Sequence, residues 1–167
     1  VIGATALGVR NVLCVTGDSA KLSPSPRDNM QINDLDAIQM LWVLRTMRDD
    51  KKYLDGREIK NPPMFFLGAA ASPFSSNVKF QALREQKKVN AGAQFFQTNL
   101  IFDVDGMETW LNELVKRNIL DKVYILAGVT PIKSLKMAQK LVEIPGVYLP
   151  KTILQRMEVA DRAGNAQ

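Results

Sequence analysis

Four short clusters hold the residues best suited to chemistry: Thr16-Gly17-Asp18, Ala71-Ser72-Pro73, Thr98-Asn99 and Gly128-Val129-Thr130-Pro131. Each one closes an apolar segment. The third cluster is the most unusual, because Gln97, Thr98 and Asn99 stand side by side inside a run that is otherwise Phe95, Phe96, Leu100, Ile101, Phe102 and Val104. A carboxylate such as Asp18 accepts hydrogen bonds and carries charge, while an amide such as Asn99 both donates and accepts. The chain has no histidine and one cysteine, Cys14, which sits within an apolar run. That composition removes the commonest general base and the commonest zinc ligand and excludes a disulfide framework. Any catalysis must rest on carboxylates, amides, lysines or a cofactor.

Taken singly, each cluster is what a strand-terminating turn looks like, since Gly, Pro, Asp and Asn serve there for their backbone preferences. Their joint placement is what matters, and it depends on the elements around them. Strand-like segments are read at 11–17, 63–72, 93–102 and 122–131, each bounded by turn residues. Helical patterns lie between them at 34–50, 106–119 and 134–144. In the first of these, Leu35, Ile38, Leu41, Trp42 and Leu44 are spaced to share one face. The opening residues "VIGATALGVRN" look like the tail of a helix closed by Gly8. Strands alternating with helices imply parallel pairing through right-handed crossovers, either in an open doubly wound sheet or in a (β/α)8 barrel. In both architectures ligands sit at the C-terminal ends of the strands, where all four clusters fall.

Within a strand, successive side chains alternate between faces, so Gln97 and Asn99 point one way and Thr98 the other. The pair is thus expected to face a ligand mouth. The stretch 18–33, rich in Ser, Pro and Asp, is longer than most strand–helix connections and reads either as a lid or as a surface excursion.

The strings "GVRNVLCVTGDSAK", "FFLGAAASPF", "KKVNAGAQFFQTNLIFD" and "KVYILAGVTPIKSLKMAQKL" occur in an order and spacing that resemble the methylenetetrahydrofolate reductase family, its anaerobic bacterial branch above all. The resemblance runs from about Gly8 to Arg156. It implies an α/β fold, a (β/α)8 TIM barrel of which this chain shows about four consecutive units. It also implies a flavin, FAD or else FMN, and reduction of 5,10-methylenetetrahydrofolate to 5-methyltetrahydrofolate by hydride transfer. On this basis residues 1–167 form a single domain that is part of such a barrel, with its N-terminal strands and last strand expected elsewhere.

Residue by residue, the resemblance assigns Asp18 to the flavin pyrimidine and the folate, and Asn99 to the position of the family's glutamine, which hydrogen-bonds the pterin. These two are the expected catalytic residues. Thr16 and Gly17 fall beside the flavin, with Thr16 standing where better-known members have Arg. Ala70 and Ser72 flank the flavin, with Ser72 in place of a common Tyr. Lys88 corresponds to a lysine near the cofactor's diphosphate, and Arg84 and Lys87 precede it on the same helical segment. Gln97 joins Asn99 on the substrate side, and Leu135 stands where a phenylalanine packs on the folate.

A net charge of +5 spread along the chain gives no basic stripe interleaved with aromatics, so nucleic acid is not an expected partner. No apolar run approaches the roughly 20 residues of a bilayer span, and the chain reads as cytoplasmic. The expected partners are the folate substrate, a second copy in an oligomer, and NAD(P)H or an electron-delivering subunit. The chain lacks a GxGxxG fingerprint after any strand, which favours the subunit. Two other readings stay open: a pterin-dependent methyltransferase on the same barrel, and a non-catalytic fragment or partner subunit.

Overall fold

The computed structural model describes residues 1–17, 34–74 and 77–164. Its strands are β1 (Asn11–Cys14), β2 (Phe66–Ala71), β3 (Phe95–Leu100) and β4 (Tyr124–Gly128), in one sheet of order β1-β2-β3-β4. The helices are α1 (Ile2–Ala6), α2 (Ala37–Arg45), α3 (Val78–Ala91), α4 (Val104–Lys116), α5 (Leu135–Val142) and α6 (Lys151–Arg162). Sequential order in a parallel sheet, with a helix in each connection, is the α/β architecture expected from the alternation of patterns. Each strand is shorter than its apolar segment, although Ile101, just past β3, still pairs in parallel with Tyr148. The chain divides into two compact units, one made of 1–70 and 87–95 and the other of 71–86 and 96–167.

In the first unit β1 pairs in parallel with β2, from Asn11 against Phe66 to Cys14 against Ala69. Val12 and Cys14 share the face of Leu67 and Ala69, and of these Cys14, Leu67 and Ala69 are fully buried. Helix α1 ends as its sequence suggests: Gly8 takes φ +85°, a conformation that costs glycine little. Helix α2 begins with a reciprocal cap in which Asp36 Oδ1 accepts from Gln39 N at 2.7 Å while Gln39 Oε1 accepts from Asp36 N at 2.9 Å. Its core face is set by Leu41 and Leu44, both buried, and Met47 continues it through a π-helical turn at Thr46–Asp50.

Trp42 departs from the expected face and is 48% exposed. The burial axis runs through 41 and 44, so residue 42, about 100° round the helix from Leu41, falls on its flank. Leu35 lies before the cap and is exposed as well. Beyond the turn, the Arg48 guanidinium donates to the Phe65 carbonyl at 3.0 Å and to Gln94 Oε1. The same Gln94 oxygen accepts from Leu67 N at 3.2 Å, so one part-buried fork ties the π-helical turn after α2 to the start of β2.

On the opposite face of β2, Phe95 stacks on Phe66 with centroids 5.3 Å apart and the planes 15° from parallel. The Phe95 ring lies over Gly68, where an added Cβ would fall inside it. Glycine here makes room for an aromatic pair.

In the second unit Phe96 is fully buried and Thr98 6% exposed, whereas Gln97 is exposed and Asn99 half-buried. The expected alternation therefore holds. Thr98 is more than a core residue with a hydroxyl: its Oγ1 donates to the Asn99 carbonyl at 2.8 Å and accepts from Gly128 N at 2.9 Å. A Cβ on Gly128 would meet the carbonyl oxygens of Thr98 and Asn99 at 2.9 Å, so the close approach of β4 requires glycine. Ile101 N donates to the Gly128 carbonyl at 2.9 Å and completes the clasp between the strand ends.

Helix α4 starts at a side-chain cap, Asp103 Oδ1 accepting from Gly106 N at 3.1 Å, and buries Trp110 and Leu114. Helix α5 starts at Ser134, whose Oγ accepts from Met137 N at 3.2 Å, and buries Ala138 and Leu141. Helix α6 has no buried residue and packs on α5. Large apolar side chains stay exposed on β4, at Tyr124 and Leu126, and on β1 at Leu13. Among the described residues no helix is long and apolar enough to cross a membrane.

Two substitutions test this packing. Gly68→Ala drives a methyl into the Phe95 ring and is expected to cost about 1–3 kcal/mol, the usual range for an overpacked site. Thr98→Val keeps the volume but removes the hydroxyl between the strand ends, and is expected to cost about 1 kcal/mol by leaving the Gly128 N–H without its acceptor. Both are read by denaturant unfolding, and midpoints equal to the parent's would contradict the packing described.

Candidate functional site

The residues singled out for chemistry emerge where the strands end. In the first unit, β1 and β2 run parallel with Cys14 beside Ala69, so Thr16-Gly17, just past β1, and Ala70, near the end of β2, lie at the same end of the two strands. Thr16 Oγ1 accepts from Ala37 N at 3.1 Å, which holds the first residue of α2 to the strand end. The hydroxyl thus has a structural task. Gly17 adopts φ +91°, and among the described residues nothing lies within 4 Å of a Cβ built on it. Asp18, and with it the stretch 18–33, lies outside the described residues.

Lys88 sits in the last turn of α3 and is half-buried. Its Nζ donates to the Ala70 carbonyl at 2.7 Å, so the ammonium is anchored at the C-terminal part of β2. A cation so held is a fixed point charge, the kind of partner a phosphate takes. Lys87 is exposed on the same helix. In the second unit Arg84 is exposed too, so the structure separates the three basic residues by burial: Lys88 is tethered by the backbone, and the other two present long side chains to solvent.

The second unit brings two expected site residues into contact. Asn99 Nδ2 donates to Ser72 Oγ at 3.3 Å and to the Pro145 carbonyl at 3.3 Å. Ser72 follows the last residue of β2, and Asn99 lies next to the last residue of β3. Gln97, two residues earlier on the same face, is exposed. Leu135 is the first residue of α5, half-buried, directly after the Ser134 cap. Sequence reasoning missed Pro145-Gly146, although the Pro-Gly pair is a turn signal and Gly146 takes φ +80°.

Cys14 is fully enclosed, and burial pushes its thiol up to about 11. It is protonated at neutral pH and is no nucleophile. Among the described residues no three of His, Cys, Asp and Glu are grouped to hold a metal ion. A cavity of about 970 Å³ lies between Phe102, Thr130 and Ile132 and the Ile153, Arg156 and Met157 side of α6. Thr130 of the fourth strand-end cluster lines it, and none of the residues that the resemblance assigns to the flavin or the folate does.

Comparison with known proteins agrees with the sequence pattern. The chain is 26% identical over 148 residues to a 5,10-methylenetetrahydrofolate reductase of Buchnera aphidicola subsp. Baizongia pistaciae, covering 86% of this chain and 42% of that protein. It is 25% identical over 158 residues to the enzyme of the same name from Buchnera aphidicola subsp. Schizaphis graminum, covering 92% of this chain and 46% of the relative. To a probable methylenetetrahydrofolate reductase (NADPH) of Caenorhabditis elegans it is 24% identical over 159 residues, 93% of this chain and 21% of the relative. The chain therefore spans less than half the length of these curated relatives. The family model described as methylenetetrahydrofolate reductase matches residues 1–167, and with the parallel α/β sheet and the strand-end cluster this chain belongs to the methylenetetrahydrofolate reductase family.

Proposed function

We propose that this chain carries strand-end residues of the flavin and folate site of an enzyme that reduces 5,10-methylenetetrahydrofolate to 5-methyltetrahydrofolate in one-carbon metabolism. The observation that supports it best is the hydrogen bond between Asn99 and Ser72, two positions to which the resemblance assigns neighbouring ligand roles. A role in packing alone would leave the Asn99 amide buried, yet it is half-open at the end of its strand.

The residues present suit a flavin. At the C-terminal part of β2, Ala70 is small and half-buried, which suits a planar ring laid against the backbone. Lys88, fixed at the Ala70 carbonyl, is suited to the diphosphate of FAD or the phosphate of FMN. When bound, the flavin supplies the hydride. The protein's share is orientation: Asn99 offers an amide to the pterin edge, Leu135 offers apolar contact, and Gln97 adds a second amide on the face of Asn99. Asp18 is assigned its place beside the flavin and the folate by the resemblance alone. Small errors of alignment at such a site cost on the order of 100-fold in rate, which is why a hydrogen-bonded amide suits it better than a mobile one.

Electrons are proposed to arrive from a partner protein or a flavin shared with one, NAD(P)H being the other donor considered. The enzyme is proposed to act in the cytoplasm as an oligomer.

The test is oxidation of 5-methyltetrahydrofolate by the flavin-reconstituted protein with an artificial electron acceptor. Flavin-dependent turnover is expected. Folate binding without any bound flavin would favour a pterin-dependent methyltransferase, and absence of both would leave a non-catalytic partner chain.

A further inference from the structure

Asn99 is held from behind. Both of its side-chain hydrogen bonds among the described residues leave from one atom, Nδ2, which donates to Ser72 Oγ and to the Pro145 carbonyl. An amide nitrogen has two hydrogens, so these two bonds use its whole donor capacity. The side-chain oxygen and nitrogen of an asparagine are told apart by their partners. Here the partner decides: the Pro145 carbonyl only accepts, so turning the amide over would set two oxygens against each other. Ser72 alone would not decide, since a hydroxyl serves either way.

Gly146 completes the seat. It adopts φ +80°, and a Cβ built on it would fall on Asn99 Nδ2 and come within 3.4 Å of Ser72 Oγ. The glycine is needed both for its backbone conformation and for the space that the amide occupies. No protein donor reaches Asn99 Oδ1 among the described residues.

We infer that Ser72, the Pro145 carbonyl and Gly146 are positioning elements that lock the Asn99 amide with its nitrogen toward the protein, so that Asn99 recognises its ligand through Oδ1 as a hydrogen-bond acceptor only. The ligand group it selects is therefore an N–H or O–H donor. This rests on the proposed folate site and deepens it, because an unlocked amide would accept either polarity whereas this one rejects a ligand edge that presents an acceptor. It also accounts for the pairing of two short residues: the serine brings a hydroxyl to the shorter amide at a distance that a bulky aromatic ring could not share with Gly146.

The experiment has two readings on the same full-length protein. Without any ligand, the Asn99 side-chain NH2 resonances are followed by NMR in the parent and in Ser72→Ala. One proton is expected to move upfield and exchange faster with solvent in the variant, and unchanged resonances would overturn the lock. With 5-methyltetrahydrofolate as probe, Ser72→Ala is expected to weaken binding about 3- to 10-fold, the loss of one neutral hydrogen bond. Asn99→Asp, which keeps an acceptor but sets a carboxylate against the Pro145 carbonyl, is expected to weaken it more than 10-fold at pH 8. Parent-like affinity in Asn99→Asp would show that the donors are not needed and would overturn the inference. If the parent itself fails to bind the probe, the folate reading falls, and the NMR comparison still decides the orientation of the amide.

Discussion

The hydrogen bonds that Thr98 makes under the sheet are the constraint on which the C-terminal end of β3 depends. Its hydroxyl donates to the Asn99 carbonyl and accepts from Gly128 N, which binds β4 to β3 where both strands stop. Because side chains alternate, fixing Thr98 on the buried face fixes Gln97 and Asn99 on the other. A slip of one residue would put the amides into the helix layer and the threonine at the mouth. The three adjacent polar groups thus have separate tasks: one joins strands, and two face outward.

The first unit solves a related problem with different chemistry. At the C-terminal part of β2, Lys88 reaches back to the Ala70 carbonyl. A lysine held by a backbone acceptor loses part of its rotamer freedom before any ligand arrives, so less entropy is lost on binding. Thr16 treats the neighbouring strand end in the same manner, capping α2 instead of reaching outward. Backbone-directed hydrogen bonds at strand ends hold expected site residues in both units.

Much of this was legible in the sequence because it depends on local pattern. The four apolar segments bounded by Gly, Pro, Asp and Asn gave the strands in order, and the alternation at 97–99 followed from the strand period alone. What escaped was nonlocal or unpatterned. The Arg48–Gln94 fork joins residues far apart in the chain, and no motif announces it. Trp42 was read as core because helical spacing defines a stripe but not its centre, which tertiary packing placed on Leu41 and Leu44. Helix α6, with no buried residue, carries little apolar signal. The seat of Asn99 was missed at Pro145-Gly146 since a turn signal does not say which side chain the turn will touch.

The central claim is that the half-open end of β3, and not the apolar groove beside α6, receives the folate. Its most direct test is a map of backbone amide shifts as 5-methyltetrahydrofolate is added to the flavin-loaded protein. The account predicts shifts concentrated at Ser72, Gln97, Asn99 and Leu135, with Ile153 and Met157 unmoved. Shifts confined to the groove of Phe102, Ile132 and Met157, with Asn99 unmoved, would contradict it.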